Sequence, residues 1–256
     1  MIKAAFFDVD GTLQSFQNKR VPDTCRQAIR RLQEKGILCV VATGRQLGML
    51  EKLSVGDIPF DAYLTLNGQM LHNKEKKLIY GNPITGKAGD YLLRCFRENV
   101  FPSMLVEERD VYVNFVDERV ESVSKWLGTP NPEIRPYSGN PIYQVNAYLK
   151  PEQEHFLDPI REDCTFTRWN YGGLDVIAKD GGKMVGIQKY LQMMGISREE
   201  TIAFGDAEND REMLRYAGIG VAMGNADKET KQAADYVTTE VDEDGIERAL
   251  RHFGLI

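Results

Sequence analysis

The stretch Ala4–Phe16, AAFFDVDGTLQSF, sets four apolar residues against two acids one residue apart, Asp8 and Asp10, and follows them with Gly11 and Thr12. The apolar run, which begins at Ile2, reads as a buried β-strand. Two carboxylates this close repel, and one holds a proton unless a cation lies between them. Aspartate and glycine also build ordinary turns and helix caps, so the motif alone leaves that alternative open. It is not an EF-hand calcium loop, which needs glycine at its sixth position; Gly11 is fourth from Asp8. What the rest of the chain sets beside the two acids decides between these readings.

Further along, short apolar runs alternate with amphipathic helices, the pattern of an α/β fold with a parallel sheet. Core strands are expected at Ile2–Phe7, Ile37–Ala42, Ala62–Leu66, Thr201–Gly205, Ile219–Met223 and Tyr236–Thr238. Helices are expected where Pro22 and Asp23 open a segment that stops at Gly36, where Lys183 opens one that stops at Gly195, and before Gly254.

The strand ends carry the chemistry. Asp8, Asp10, Gly11 and Thr12 follow the first; Thr43, Gly44 and Arg45 the second; Asn67 and Gly68 the third; Asp206, Asn209 and Asp210 the fourth. Open α/β sheets bind ligands outside the carboxyl ends of their strands, so four polar ends converge on one edge. Asp8, Asp10 and Asp206 supply hard oxygen ligands of the kind Mg²⁺ takes, with Asn209 or Asp210 close behind. A hydroxyl, an exposed backbone N–H and a helix start make Thr43-Gly44-Arg45 a candidate phosphate seat, although the triplet alone is a weak signal. Lys183, in DGGKMVG, is a candidate cation for the same phosphate, the alternative being a surface lysine at a helix start. It is not a Walker lysine, since the first glycine would fall at Ile177 and Met184 replaces Ser or Thr.

Between about Asn82 and Lys179 the pattern changes to helix Thr85–Asn99, strands Met104–Glu107 and Val111–Phe115, helix Asp117–Leu127, strand Ile142–Leu149, helix Glu152–Ile160, and strands Thr165–Asn170 and Leu174–Ala178 about Gly172–Gly173. Of the ten prolines, only Pro22 and Pro59 lie outside this region. An α+β domain, residues 83–179, is therefore expected as an insert in a Rossmann-like parallel-sheet core formed by residues 1–82 and 180–256.

Composition narrows the function classes. A chain of 256 residues, 42% hydrophobic, can bury a sizeable core. No apolar run approaches the roughly 18 residues of a membrane span, and the four apolar residues after Lys3 are too few for a signal-peptide core. Four scattered cysteines, without a C-x-x-C pair, suit buried thiols rather than a disulfide or zinc framework. A cytoplasmic protein is expected. A net charge of −6 argues against a nucleic-acid binder. It also means that an anionic substrate requires a local positive centre.

In order along the chain, FFDVDGTL, ATGR, the lysine of DGGK, and GDAENDREML resemble the four motifs of the haloacid dehalogenase superfamily of phosphohydrolases. The large insert between the second and third motifs, with TLNGQ and AMGNA, resembles the Cof-type subgroup and its α/β cap. The resemblance spans the whole chain. It implies that Asp8 is the nucleophile forming an aspartyl phosphate and that Asp10 is the acid/base. It implies Mg²⁺ ligands in Asp8, the Asp10 main-chain carbonyl and Asp206, and phosphoryl-holding groups in Thr43 and Lys183. The cap sets specificity, with Arg109, Arg168, Trp169, Asn170 and Tyr171 as candidate contacts. The expected function is Mg²⁺-dependent hydrolysis of a small phosphorylated metabolite such as a sugar phosphate. A non-catalytic sensor of such a metabolite, or a phosphotransferase, is the alternative.

Overall fold

A computed structural model describes residues 1–256. The chain divides into two compact units, Met1–Tyr80 with Gly182–Ile256, and Gly81–Gly181. No helix is long and apolar enough to cross a membrane.

The first unit is built on an eight-stranded sheet. In chain order its strands are β1 (Ala4–Phe7), β2 (Leu38–Ala42), β3 (Ala62–Thr65), β4 (Met70–Asn73), β5 (Leu78–Gly81), β11 (Thr201–Gly205), β12 (Ile219–Ala222) and β13 (Tyr236–Val237). The spatial order is β13-β12-β11-β1-β2-β3-β4-β5. The pairs from β13 to β3 are parallel, and β4 returns antiparallel to β3. Phe7 pairs with both Val41 and Phe204, so β1 lies between the strands that lead to Thr43 and Asp206.

Every residue of β1 is buried, because both sheet faces are covered. Ala5 and Phe7 pack into a core shared with helix α1 (Asp23–Glu34) and the C-terminal helix (Gly245–His252), while Ala4 and Phe6 meet helices α5 (Lys183–Met194) and α6 (Arg211–Tyr216) on the other face. Phe7 stacks on Phe204 at 5.2 Å between ring centroids. In α1, Cys25, Ala28, Ile29 and Leu32 form the buried stripe, the spacing legible in the sequence.

The second unit holds an antiparallel five-stranded sheet in the order β7-β6-β8-β10-β9, from β6 (Ser103–Val106), β7 (Val111–Val113), β8 (Gln144–Ala147), β9 (Cys164–Asn170) and β10 (Gly173–Ala178). Helix α3 (Gly86–Arg97) covers one side, and α4 (Glu118–Leu127) starts on Asp117, whose carboxylate accepts from Arg119 N and Val120 N.

Three differences from the sequence reading have physical causes. The hairpin β4–β5 is not among the expected strands; Met70, Leu71 and His72 are all buried, so no alternation marks them. The helix expected over Glu152–Ile160 is present, as a 3₁₀ rather than an α-helix, over Pro151–Ile160. Pro159 inside it lacks the N–H that an α-helix needs. Finally, one turn of helix, α2 (Leu47–Leu50), follows Arg45; four residues are too short to show a period.

Candidate active site

Parallel pairing places the residues after β1, β2 and β11 at one edge of the sheet. Asp8 N donates to the Phe204 carbonyl at 3.0 Å, extending the ladder one residue beyond β1. Asp8, Asp206 and Asp210 each offer a carboxylate oxygen, and the three oxygens lie within 4.8 Å of one another. All three residues are buried.

Lys183 stands among them. It opens α5 and is only 2% exposed. Its Nζ donates to Asp8 Oδ1 and to Asp210 Oδ1, each at 2.6 Å. The other oxygen of Asp210, Oδ2, accepts from the backbone of Asp206 at 2.9 Å and Ala207 at 3.0 Å. Asp210 thus ties the lysine to the loop that carries Asp206. Thr12 Oγ1 donates to Asp206 Oδ1 at 3.0 Å.

Gly11 shows why the opening motif needs glycine. Its φ is +86°, and a Cβ there would lie 2.2 Å from Asp206 Oδ2. The turn after β1 therefore brings its backbone against the carboxylate from β11.

The electrostatics are unbalanced. Three buried carboxyl groups face one ammonium, so full ionisation would leave an excess of two negative charges. Burial pushes Asp8 well above its ordinary value; the Lys183 ammonium pulls it back, while Asp210, Asp206 and Asp10 add to the rise. Burial likewise takes Asp206 up to about 7, helped by Asp210 and opposed by the Thr12 hydrogen bond. Burial disfavours the charge on Lys183, but Asp210 and Asp8 outweigh it and hold the ammonium more firmly than usual. Hard oxygen donors, close together and carrying surplus negative charge, fit a divalent cation.

Asp10 is placed differently. Its carboxylate accepts from Arg45 Nε at 2.5 Å and from Arg45 Nη2 at 2.8 Å. Its side chain is outside the three-carboxylate group, and Arg45, expected at a phosphate, is seated on Asp10 here. Thr43 is buried, and its Oγ1 accepts from Arg45 N at 3.1 Å. Asn209, expected near the cation, donates from Nδ2 to Asn67 Oδ1 at 3.0 Å. Gly44 lies against the same Asn67 amide, with an ideal Cβ 3.2 Å from its Oδ1.

One residue was given no role in the sequence reading. Asn225 donates from Nδ2 to the Gly11 carbonyl at 2.8 Å and to Asp206 Oδ2 at 3.4 Å. It follows β12, so a fifth polar strand end was the available signal. In the second unit, Arg168 bonds Glu154 and the carbonyls of Leu149, Asn170 and Tyr171, while Trp169 Nε1 donates to Asp175 at 2.7 Å. Those contacts make Arg168 a brace within its own unit. Arg109 is exposed, 3.6 Å from Glu108. Asn170 Oδ1 accepts from Gly172 N, and the Tyr171 hydroxyl reaches Glu152.

A parallel sheet whose central strand ends in paired acids, with a lysine and a second acidic loop beside them, defines a class of hydrolases. A profile of the haloacid dehalogenase-like hydrolases matches residues 5–250, and the chain belongs to that family. YkrA of Bacillus subtilis is 33% identical over 258 residues, covering 99% of this chain and 98% of its own. The Bacteroides thetaiotaomicron phosphatase BT1666 superposes with a TM-score of 0.93 at 32% identity, covering 100% of this chain and 96% of that one. The subclass IIB sugar phosphatase BT4131 does so with a TM-score of 0.84 at 35% identity, covering 99% and 100%. The chain is accordingly an enzyme, a phosphatase of the Cof type.

Proposed function

We propose that this phosphatase hydrolyses a small phosphomonoester, in the class of sugar phosphates, through an aspartyl phosphate on Asp8 and with Mg²⁺ as cofactor. The observation that carries the reading is the trio Asp8, Asp206 and Asp210 around one buried lysine at the ends of adjacent strands. The name of BT4131 supports the sugar-phosphate class.

Asp8, Asp206 and the Asp10 carbonyl would hold the ion, with Asp210 and Asn209 close behind. When bound, Mg²⁺ neutralises charge on the transferring phosphoryl group. Phosphoryl transfer depends on in-line positioning and charge neutralisation, which is what the other groups supply. Lys183 binds Asp8 through Oδ1, leaving Oδ2 outside that ion pair to attack phosphorus. As the bond from phosphorus to the ester oxygen breaks, a proton on the Asp10 carboxyl passes to the departing alkoxide. Asp10 then takes a proton from water, whose oxygen attacks phosphorus and releases Asp8 and inorganic phosphate. To hold that proton, Asp10 gives up at least one of its two bonds to Arg45. Thr43, Gly44 and Lys183 seat the phosphoryl oxygens. Residues 83–179 act as the cap that sets specificity, the role the family resemblance gives them.

The test is hydrolysis of p-nitrophenyl phosphate with Mg²⁺. Wild-type protein should release free phosphate, exhaustive chelation should stop it, and Asp8→Asn should lose at least a thousandfold in kcat. Substantial turnover by purified Asp8→Asn would remove Asp8 as nucleophile. Phosphate passed to an acceptor other than water would favour a phosphotransferase. Binding of esters without turnover would favour a sensor.

A further inference from the structure

The turn between β3 and β4 has a backbone that its sequence does not favour. Leu66 has φ +50°, Asn67 +53° and Gly68 +84°. Two successive non-glycine residues in the left-handed region are costly, the more so for a fully buried leucine. Such strain persists only where surrounding contacts hold it.

Those contacts run to three other segments of the site. Leu66 N donates to the Arg45 carbonyl at 3.2 Å, and Asn67 N to the Thr43 carbonyl at 2.9 Å. Gly68 lies against the peptide that opens α5: a Cβ on it would sit 2.3 Å from the Gly182 carbonyl oxygen and 3.2 Å from Lys183 Cα. Asn67 Oδ1 accepts the Asn209 amide at 3.0 Å. A single four-residue turn thus touches the Thr43 loop, the start of the Lys183 helix and the loop between Asp206 and Asp210.

We propose that Asn67 is a positioning residue: its side-chain carbonyl fixes the Asn209 amide and thereby sets the 206–210 loop against the Thr43 loop. Because Nδ2 of Asn209 is committed to Asn67, Oδ1 is the atom that Asn209 presents elsewhere. Asn209 sits beside Asp210, which holds both Lys183 and the backbone of Asp206. Freeing the amide lets this loop shift, and the shift is felt at the carboxylates. The left-handed backbone is the conformation that brings the Asn67 amide to this place, and asparagine tolerates it better than other polar residues. The inference rests on the reading of Asp8 as nucleophile only for its kinetic readout.

The experiment is a double-mutant cycle of Asn67→Gly, Asn209→Ala and the pair, in the full chain. Glycine keeps the positive φ while deleting the acceptor, so folding is preserved. Two quantities are read: kcat and KM for p-nitrophenyl phosphate with Mg²⁺, and Mg²⁺ affinity by calorimetry. Asn67→Gly should lower kcat about tenfold and weaken Mg²⁺ binding about threefold, with KM within twofold and the melting temperature near wild type. The double variant should lose no more than the worse single variant. Additive losses, or an Asn67→Gly protein within twofold of wild type in both kcat and Mg²⁺ affinity, overturn the proposal. Should wild-type protein bind Mg²⁺ but turn over no ester, the functional reading falls. The cycle is then decided on Mg²⁺ affinity alone, with the same criterion of additivity.

Discussion

Arg45 and Asp10 form a two-point ion pair: Nε is 2.5 Å from Oδ2 and Nη2 is 2.8 Å from Oδ1. Both side chains are about a third exposed, at 32% and 28%, so the pair adds on the order of 1 kcal/mol or less to folding stability. Its effect is on orientation, since a planar guanidinium holds a carboxylate at two points and an ammonium cannot. Arg45→Lys should leave the melting temperature nearly unchanged and lower kcat about tenfold. A variant with wild-type kcat would show that Asp10 reaches its working position without the fork.

Cation binding should depend on pH, in a direction set by burial. Asp206 is raised to about 7 and Asp8 is also raised, so the metal-free site holds protons that a cation must displace. Mg²⁺ affinity should climb as pH rises from about 5 through about 7, where Asp206 gives up its proton. Calorimetry in buffers of different ionisation enthalpy should detect proton release near pH 6. Stability of the metal-free protein moves the other way. The folded state binds more protons than the unfolded state between the ordinary aspartate range and about 7, so stability falls as pH rises through that window. Pressing against this prediction would be an Mg²⁺ affinity that does not change between pH 5.5 and 7.5.

Replacing Lys183 exposes the charge imbalance directly. Lys183→Met retains most of the volume but leaves Asp8 and Asp210 buried without their cation. Removing one partner of a buried ion pair costs about 3–5 kcal/mol. Denaturant unfolding at pH 8 should show a loss of that order, smaller at pH 5, where a proton on Asp8, whose burial favours the neutral form, relieves part of the repulsion. Millimolar Mg²⁺ should recover part of it. An equal loss at both pH values would mean that packing, not charge, sets the cost.

Gly11→Ala should damage the site more than the fold. The new Cβ clashes with Asp206 Oδ2 and the residue is held at positive φ, so the loop must shift at a cost above about 1 kcal/mol. Because Asp206 is the group displaced, Mg²⁺ affinity should fall at least tenfold while the far-UV circular dichroism stays that of the wild type. Unchanged affinity would show that the close approach is not needed to place Asp206.

The sequence carried the sheet and the acids because both leave local marks. Apolar runs ending in Asp8, Thr43 and Asp206 name a strand and its end at once, and helix stops at Gly36 and Gly195 bound the elements between. What it did not carry is pairing across long separations. Nothing near Arg45 announces Asp10 as its partner 35 positions away, and Asn67 is 142 positions from Asn209. Asn225, within AMGNA, carries no local sign of its contacts with Gly11 and Asp206. The hairpin β4–β5 was hidden for a different reason: strands of four residues without alternation resemble loop.

The burial of β1 on both faces has a bearing on how the protein breathes. Asp8 is attached to the strand flanked by β11 and β2, a stretch in which every residue is buried. Its amides, from Ala5 to Asp8, should exchange with deuterium only through global opening, whereas those of Gln14–Lys19 should exchange through local fraying. Asp8, the nucleophile proposed above, would then be the stationary datum of the enzyme, and motion during turnover would fall to the segments that approach it.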